Sequence, residues 1–183
     1  FVKVIENILK EEDVDTYIPF VDDEIFVASL LYENKVFKEK LKLQVKDSKI
    51  ADLCNDKYKT FLWLSEHNIL TPKCFNTDFP LEDDEKLILK PRKGFGSKVQ
   101  RFSEIKDSIS QYNLEEYIIQ QRCEMPEITI DVCYDKNRDF LSYVCRERVE
   151  VKSGVCTKAR LFYDKKLEKI AFTIAEKLDL NSY

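Results

Sequence analysis

The chain has 183 residues, of which 44% are hydrophobic, 12% aromatic and 35% charged, with a net charge of -4. That length and apolar content suffice for one large domain or two small ones, and the acidic balance argues against a protein built to coat nucleic acid. No apolar run approaches the ~20 residues that span a bilayer.

Residues 2–12 (VKVIENILKEE) carry apolar positions at helical spacing, and DTYIP reads as a short buried strand stopped by Pro19. Residues 22–32 (DDEIFVASLLY) predict a helix whose acidic first turn suits the helix dipole. Helix, strand and helix in so short a stretch belong to an α/β unit. A boundary falls near residues 45–50, so residues 1–47 are assigned to one unit and 48–183 to another.

Residues 49–67 predict one or two helices, with Asn55 or Asp56 as the cap of DKYKTFLWLSEHN, and Thr71-Pro72 ends this region. LEDDE (81–85) is a polar turn. KLILKP (86–91) and KVQRF (98–102) read as strands, and SEIKDSISQY (103–112) as a helix capped by Ser103. YIIQQ (117–121) is a third strand. Residues 127–135 and 139–151 are two longer strands joined through KNR, a hairpin. KKLEKIAFTIAEKL (165–178) is an amphipathic helix with Leu167, Ile170, Ala171, Ile174, Ala175 and Leu178 on one face. The mixture, with much antiparallel pairing, is an α+β arrangement.

Six cysteines form no CxxC pair, and a single histidine, His67, argues against zinc. Free cysteines in strands behave as small apolar residues, which fits a reducing, cytoplasmic setting.

Three constellations carry chemistry. Of only three glycines in the chain, Gly94 and Gly96 lie in the basic loop of LILKPRKGFGSKV. Glycine there exposes backbone N–H groups to an anion, and Lys90, at the strand end, can act as a point charge on phosphate oxygens. The spacing is neither GxxxxGK[ST] nor GxGxxG before a helix, so the loop joins strand to strand and can fold over phosphates as a flap. By itself the stretch reads first as a glycine-containing hairpin with solvated lysines. The second is EYIIQQRCEMPEITIDV, where Gln120 and Gln121 end a strand that can meet an adenine edge and Glu127 can take ribose hydroxyls. The third is VCRERVEVKSGVCTKARL, in which Arg146 and Arg148 share a strand face, with Lys158 following the Ser153-Gly154 turn. Two arginines with a lysine suit a carboxylate or phosphate; an exposed charged strand is the alternative.

In this order, these segments resemble the ATP-grasp superfamily, and within it the carbamoyl-phosphate-synthase-like branch of carboxylate–amine ligases. DKYKTFLWLSEHNILTPKCF is similar to the family's helix entry, LILKPRKGFGSKV to its K-P-x-x-G-x-G-S loop, YIIQQRCEMPEITIDV to its adenine and ribose segment, and RERVEVKSGVCTKA to its R-x-R strand and following lysine. The resemblance runs from about residue 48 to the end. It implies an ATP-grasp fold, two α+β subdomains gripping ATP with a lid over about 70–121, preceded by part of a Rossmann-like α/β domain.

It further implies that Lys57 and Lys90 touch ATP phosphates and that Gly94, Phe95, Gly96 and Ser97 form the lid loop. Gln120, Gln121 and Cys123 would line the adenine pocket and Glu127 would bind ribose. Arg146, Arg148 and Lys158 would act on the phosphoryl group or substrate carboxylate. The implied activity joins a small-molecule carboxylate to an amine or ammonia through an acyl phosphate, with ATP and Mg2+; a non-catalytic or regulatory nucleotide-binding module is the alternative. A kinase-like phosphotransferase lacks support, because HRD and DFG motifs are absent. The family's magnesium ligands are expected beyond Tyr183, in a longer protein of which this chain would be an inactive fragment. No nucleic-acid or membrane partner is implied, and a homodimer is left open. The sequence departs from the family pattern at Asn68, Val99 and Met125-Pro126, where glycine is usual.

Overall fold

In a computed structural model, residues 2–43, 45, 47–75, 86–94, 100–101, 106–124, 126–135, 137, 139–152 and 155–180 are described. The chain opens with α1 (Val2–Glu11), β1 (Thr16–Tyr17), α2 (Asp22–Glu33), α3 (Lys35–Lys40) and β2 (Lys42–Leu43), with β1 and β2 paired in parallel. The i, i+3, i+7 stripe of α1 turns Val2, Ile5 and Leu9 toward one side. There they meet Val27, Ala28, Leu31, Phe37 and Leu41, a core closed off from water. Asn34 ends α2 and caps α3 by accepting from the Val36 N–H at 3.1 Å, so one short polar side chain turns the chain between helices.

The second part opens with α4 (Ser48–Asn55) and α5 (Lys57–Glu66), two helices separated by Asp56 alone. Asp47 caps α4 and Asp56 caps α5, each carboxylate accepting N–H groups that the helix leaves unpaired. The α5 helix ends at Asn68 with φ +55°. Asparagine is among the few residues that tolerate this left-handed backbone.

A four-stranded antiparallel sheet follows, in the order β3 (Cys74–Phe75), β6 (Tyr117–Gln121), β4 (Leu87–Pro91), β5 (Gln100–Arg101). Alternation puts Leu87 and Leu89 on one face and Ile88 and Lys90 on the other. The first face packs on Ile119, Phe75, Ile109 and Tyr117. The opposite face carries Lys90, Gln120 and Cys74, because Ile88 pairs with Gln120 and Gln120 with Cys74. Residues 106–111, expected within an α-helix, instead form a 3₁₀-helix (Lys106–Gln111). Serines at 108 and 110, whose hydroxyls compete for backbone hydrogen bonds, weaken a longer α-helix here. The expected Ser103 cap and the 81–85 turn lie outside the described residues.

A three-stranded antiparallel sheet, β7 (Ile128–Tyr134), β8 (Phe140–Lys152) and β9 (Val155–Phe162), completes the fold with α6 (Lys165–Lys177). The β7–β8 hairpin is held by Asp135, whose carboxylate accepts from the N–H groups of Asn137 and Asp139. Ile128, Ile130, Val132 and Tyr134 face Ile170, Ala171 and Ile174 of α6. Hence Thr129 and Asp131 of β7, with Arg146 and Arg148 of β8, occupy the face turned away from α6.

Candidate nucleotide site

The start of α5 and the end of β4 are locked together by one buried ion pair. Asp56 is only 2% exposed. Besides capping α5, it accepts from Arg92 Nε at 3.1 Å and Nη2 at 2.7 Å, a two-pronged guanidinium–carboxylate contact. Burial pushes the Asp56 carboxyl up, but the hydrogen bonds from Arg92 and the Lys59 and Tyr58 N–H groups outweigh it and hold the group below its ordinary value. The Arg92 guanidinium also stacks 5.1 Å from the Tyr58 ring, and the Lys57 N–H donates to the Arg92 carbonyl at 2.9 Å. Asp52 adds a second clip, bonded to Lys59 of α5 and at 2.7 Å to Lys93 of the loop.

This clamp fixes two lysines near each other. Lys57 Nζ donates to the carbonyls of Gly94, at 3.0 Å, and Arg92, at 3.3 Å. Burial lowers its pKa, against the opposing pull of Asp56 and Asp22. Lys90 is lowered too, first by burial and next by the positive charge of Lys57, while Cys74, Cys123 and Glu127 pull it back up. Two half-buried ammonium groups thus repel one another, and among the described residues neither forms an ion pair with a carboxylate. Gly94, with φ +88°, opens the loop beside them. An anion placed between these lysines would relieve both the lost hydration and the repulsion.

Around this pair stand other expected residues. Gln120 is buried, its amide donating weakly to Pro72 O at 3.5 Å and Cys74 Sγ at 3.4 Å. Gln121 is exposed, its N–H bonded to Lys73 O at 2.9 Å. Cys123 and Glu127 are exposed and lie within electrostatic reach of Lys90. Phe95, Gly96 and Ser97 lie outside the described residues.

The arginines are arranged differently. Arg146 is bonded to Asp131 and Arg148 to Glu127, so the carboxylate expected at ribose is engaged by a guanidinium. Lys158 is not brought to them. Arg148 pairs with Ala159, so alternation along β9 turns Lys158 to the α6 side of the sheet, with Arg160, which is bonded to Glu147. Asp56 was legible as a cap, whereas the part Arg92 plays was missed: in KPRKG it reads as one more solvated cation, and only the fold brings it to Asp56. Among the described residues no group of three or more His, Cys, Asp or Glu could hold a metal ion.

A strand-ended lysine, a glycine loop and a helix-start lysine clipped beneath it point to one family, and the family model described as the ATP-grasp domain matches residues 54–183. The chain belongs to the ATP-grasp family. No curated protein matches it. Among solved structures, this ATP-grasp chain is similar to an L-amino acid ligase from Bacillus licheniformis, with TM-score 0.67 and 15% identity over 99% of this chain and 46% of that one. It is also similar to N5-carboxyaminoimidazole ribonucleotide synthetase from Thermotoga maritima, with TM-score 0.59 and 17% identity over 97% and 47% of the two chains. A third is D-alanine–D-alanine ligase from Bacillus anthracis, with TM-score 0.59 and 13% identity over 95% and 64%. At these identities the likeness is one of fold, and the ATP-grasp chain spans about half to two-thirds of the length of those proteins.

Proposed function

We propose that this chain is the ATP-binding part of a carboxylate–amine or carboxylate–ammonia ligase of the carbamoyl-phosphate-synthase-like branch, working through an acyl phosphate. The observation that carries the reading is the Lys57–Lys90 pair: two half-buried cations beside a glycine loop, without a carboxylate partner among the described residues. A triphosphate supplies the compensating charge. Lys57 and Lys90 would hold its phosphates, the loop from Gly94 through Ser97 would cover them, and Gln120, Gln121 and Cys123 would border adenine. Glu127 would exchange Arg148 for ribose hydroxyls.

In the proposed reaction a carboxylate oxygen attacks the γ-phosphorus in line, and ADP departs. The amine nitrogen then attacks the acyl carbon, expelling phosphate. Catalysis of this kind depends on positioning and charge neutralisation, which cations in a pre-formed clamp supply. Arg146 and Arg148 would face the transferred phosphoryl group or the substrate carboxylate after releasing Asp131 and Glu127. Mg2+ would neutralise phosphate charge, on ligands other than the residues described here. Six unbridged cysteines suit a cytoplasmic setting.

The test is phosphate release by the full-length protein with ATP, Mg2+ and a panel of carboxylates and amines. Lys90→Ala should abolish turnover with the fold intact. Wild-type turnover in that variant would refute the role given to Lys90, and ATP binding without any turnover across the panel would favour a non-catalytic module.

A further inference from the structure

A cavity of about 340 Å³ lies behind the Asp56–Arg92 clamp, between α5 and the four-stranded sheet. Its volume falls toward the lower end of the range of small-molecule sites. Tyr58 and Phe61 of α5 form one wall, and Phe75, Leu114 and Tyr117 form the other. The second wall belongs to the core around Leu89 and Ile119, on the sheet face opposite Lys90 and Gln120. These rings are therefore turned away from the nucleotide face. Among the described residues, Arg92 is the one charged side chain at the cavity. Its guanidinium lies 5.1 Å from the Tyr58 ring, is paired with Asp56, and donates from Nη1 to the Glu115 carbonyl at 3.1 Å.

We propose that this cavity binds a neutral aromatic compound of one or two rings, and that its occupancy tightens nucleotide binding at the lysine pair. The walls set the ligand. Four rings offer edge-to-face and offset contacts, and a guanidinium plane stacks on an aromatic face. The charge of Arg92 is already met by Asp56, so an entering carboxylate would shed its water for a cation that is paired, and an ammonium would meet repulsion. The coupling follows from shared residues. Tyr58 and Arg92 belong to both the cavity and the clamp, and the Arg92 carbonyl accepts from Lys57 twice, from its N–H at 2.9 Å and from Nζ at 3.3 Å. A ring in the cavity adds contacts that empty space lacks. Those contacts hold α5 against the end of β4, the arrangement that sets Lys57 beside Lys90. By linkage, compound and nucleotide then strengthen each other by the same factor. The binding stands on the cavity alone, whereas the coupling rests on the nucleotide reading of the lysines.

The experiment is calorimetric titration of the full chain with indole, a neutral two-ring compound, and with indole-3-acetate, which adds a carboxylate. ATP is then titrated with and without saturating indole. Indole should bind at one site, and indole-3-acetate about tenfold or more weakly, the cost of a charge without a free partner. ATP should bind about fivefold or more tightly in the presence of indole, the lower end of ordinary couplings. Leu114→Trp, which fills the cavity, should abolish indole binding while ATP still binds. Phe61→Leu, which keeps the wall apolar but removes a ring, should weaken indole about threefold or more. Far-ultraviolet circular dichroism checks that each variant is folded. Absence of indole binding in the wild-type chain overturns the proposal, as does binding that neither substitution changes. Indole binding that leaves ATP affinity unchanged or weaker overturns the coupling. Indole binding that is lost in Leu114→Trp, in a protein that does not bind ATP, would sustain the cavity and remove the nucleotide reading.

Discussion

Two cationic groups look alike in the sequence and differ in the fold. Lys57 and Lys90 come from different elements and lie half-buried; burial lowers the affinity of both for protons, and the charge of Lys57 lowers that of Lys90 further. Arg146 and Arg148 come from one strand and are each already bonded to a carboxylate. The first pair stores an unmet need for negative charge, whereas the second is neutralised within its own sheet. A cation identifies an anion site by lacking an internal partner more than by its place in a motif. On the proposed reading the lysines would meet phosphate as they stand, and the arginines would first exchange partners.

The comparison can be broken most severely at the clamp that brings the lysines together. Asp56→Ala leaves Arg92 without its partner and α5 without its cap, and should lower stability by about 3–5 kcal/mol in denaturant unfolding. Its contribution is complete above the ordinary aspartate pKa near 4 and is lost as pH falls through the lowered folded value, so wild type and variant should converge in acid. Gly94→Ala meets no neighbouring atom, so only its left-handed backbone is penalised, by about 1 kcal/mol in the same assay. Arg146→Met removes an exposed pair and should change stability by less than about 1 kcal/mol. The smallest signal is a fraction of a proton. Because both lysines bind protons less readily in the fold, stability without ligand should rise with pH toward their ordinary value near 10.4. ATP favours their charged forms, so its binding should take up protons at alkaline pH, visible as buffer-dependent binding enthalpy; no uptake would mean that the lysines do not meet the phosphates.

Much of this was legible from residues. The 3.6-residue stripe of α6, the strands β4 and β7 and the Asp56 cap all follow from local spacing, and the helix break at Asp56 was one of two options left open. What local spacing could not show was pairing. Nothing near Arg92 in the chain announces Asp56, which is 36 positions away and becomes its partner only when β4 reaches α5. Likewise Lys158 follows Arg146 and Arg148 closely in sequence, yet strand pairing turns it to the other face, because a shift of one position on a strand reverses the side chain.

The account rests most directly on ATP titrated calorimetrically into the wild-type chain, Lys90→Ala and Arg146→Met. It predicts an affinity about 10- to 100-fold weaker for Lys90→Ala, the loss of a charged hydrogen bond, and little change for Arg146→Met. Equal affinity in the wild type and Lys90→Ala, or a larger loss in Arg146→Met, would contradict it.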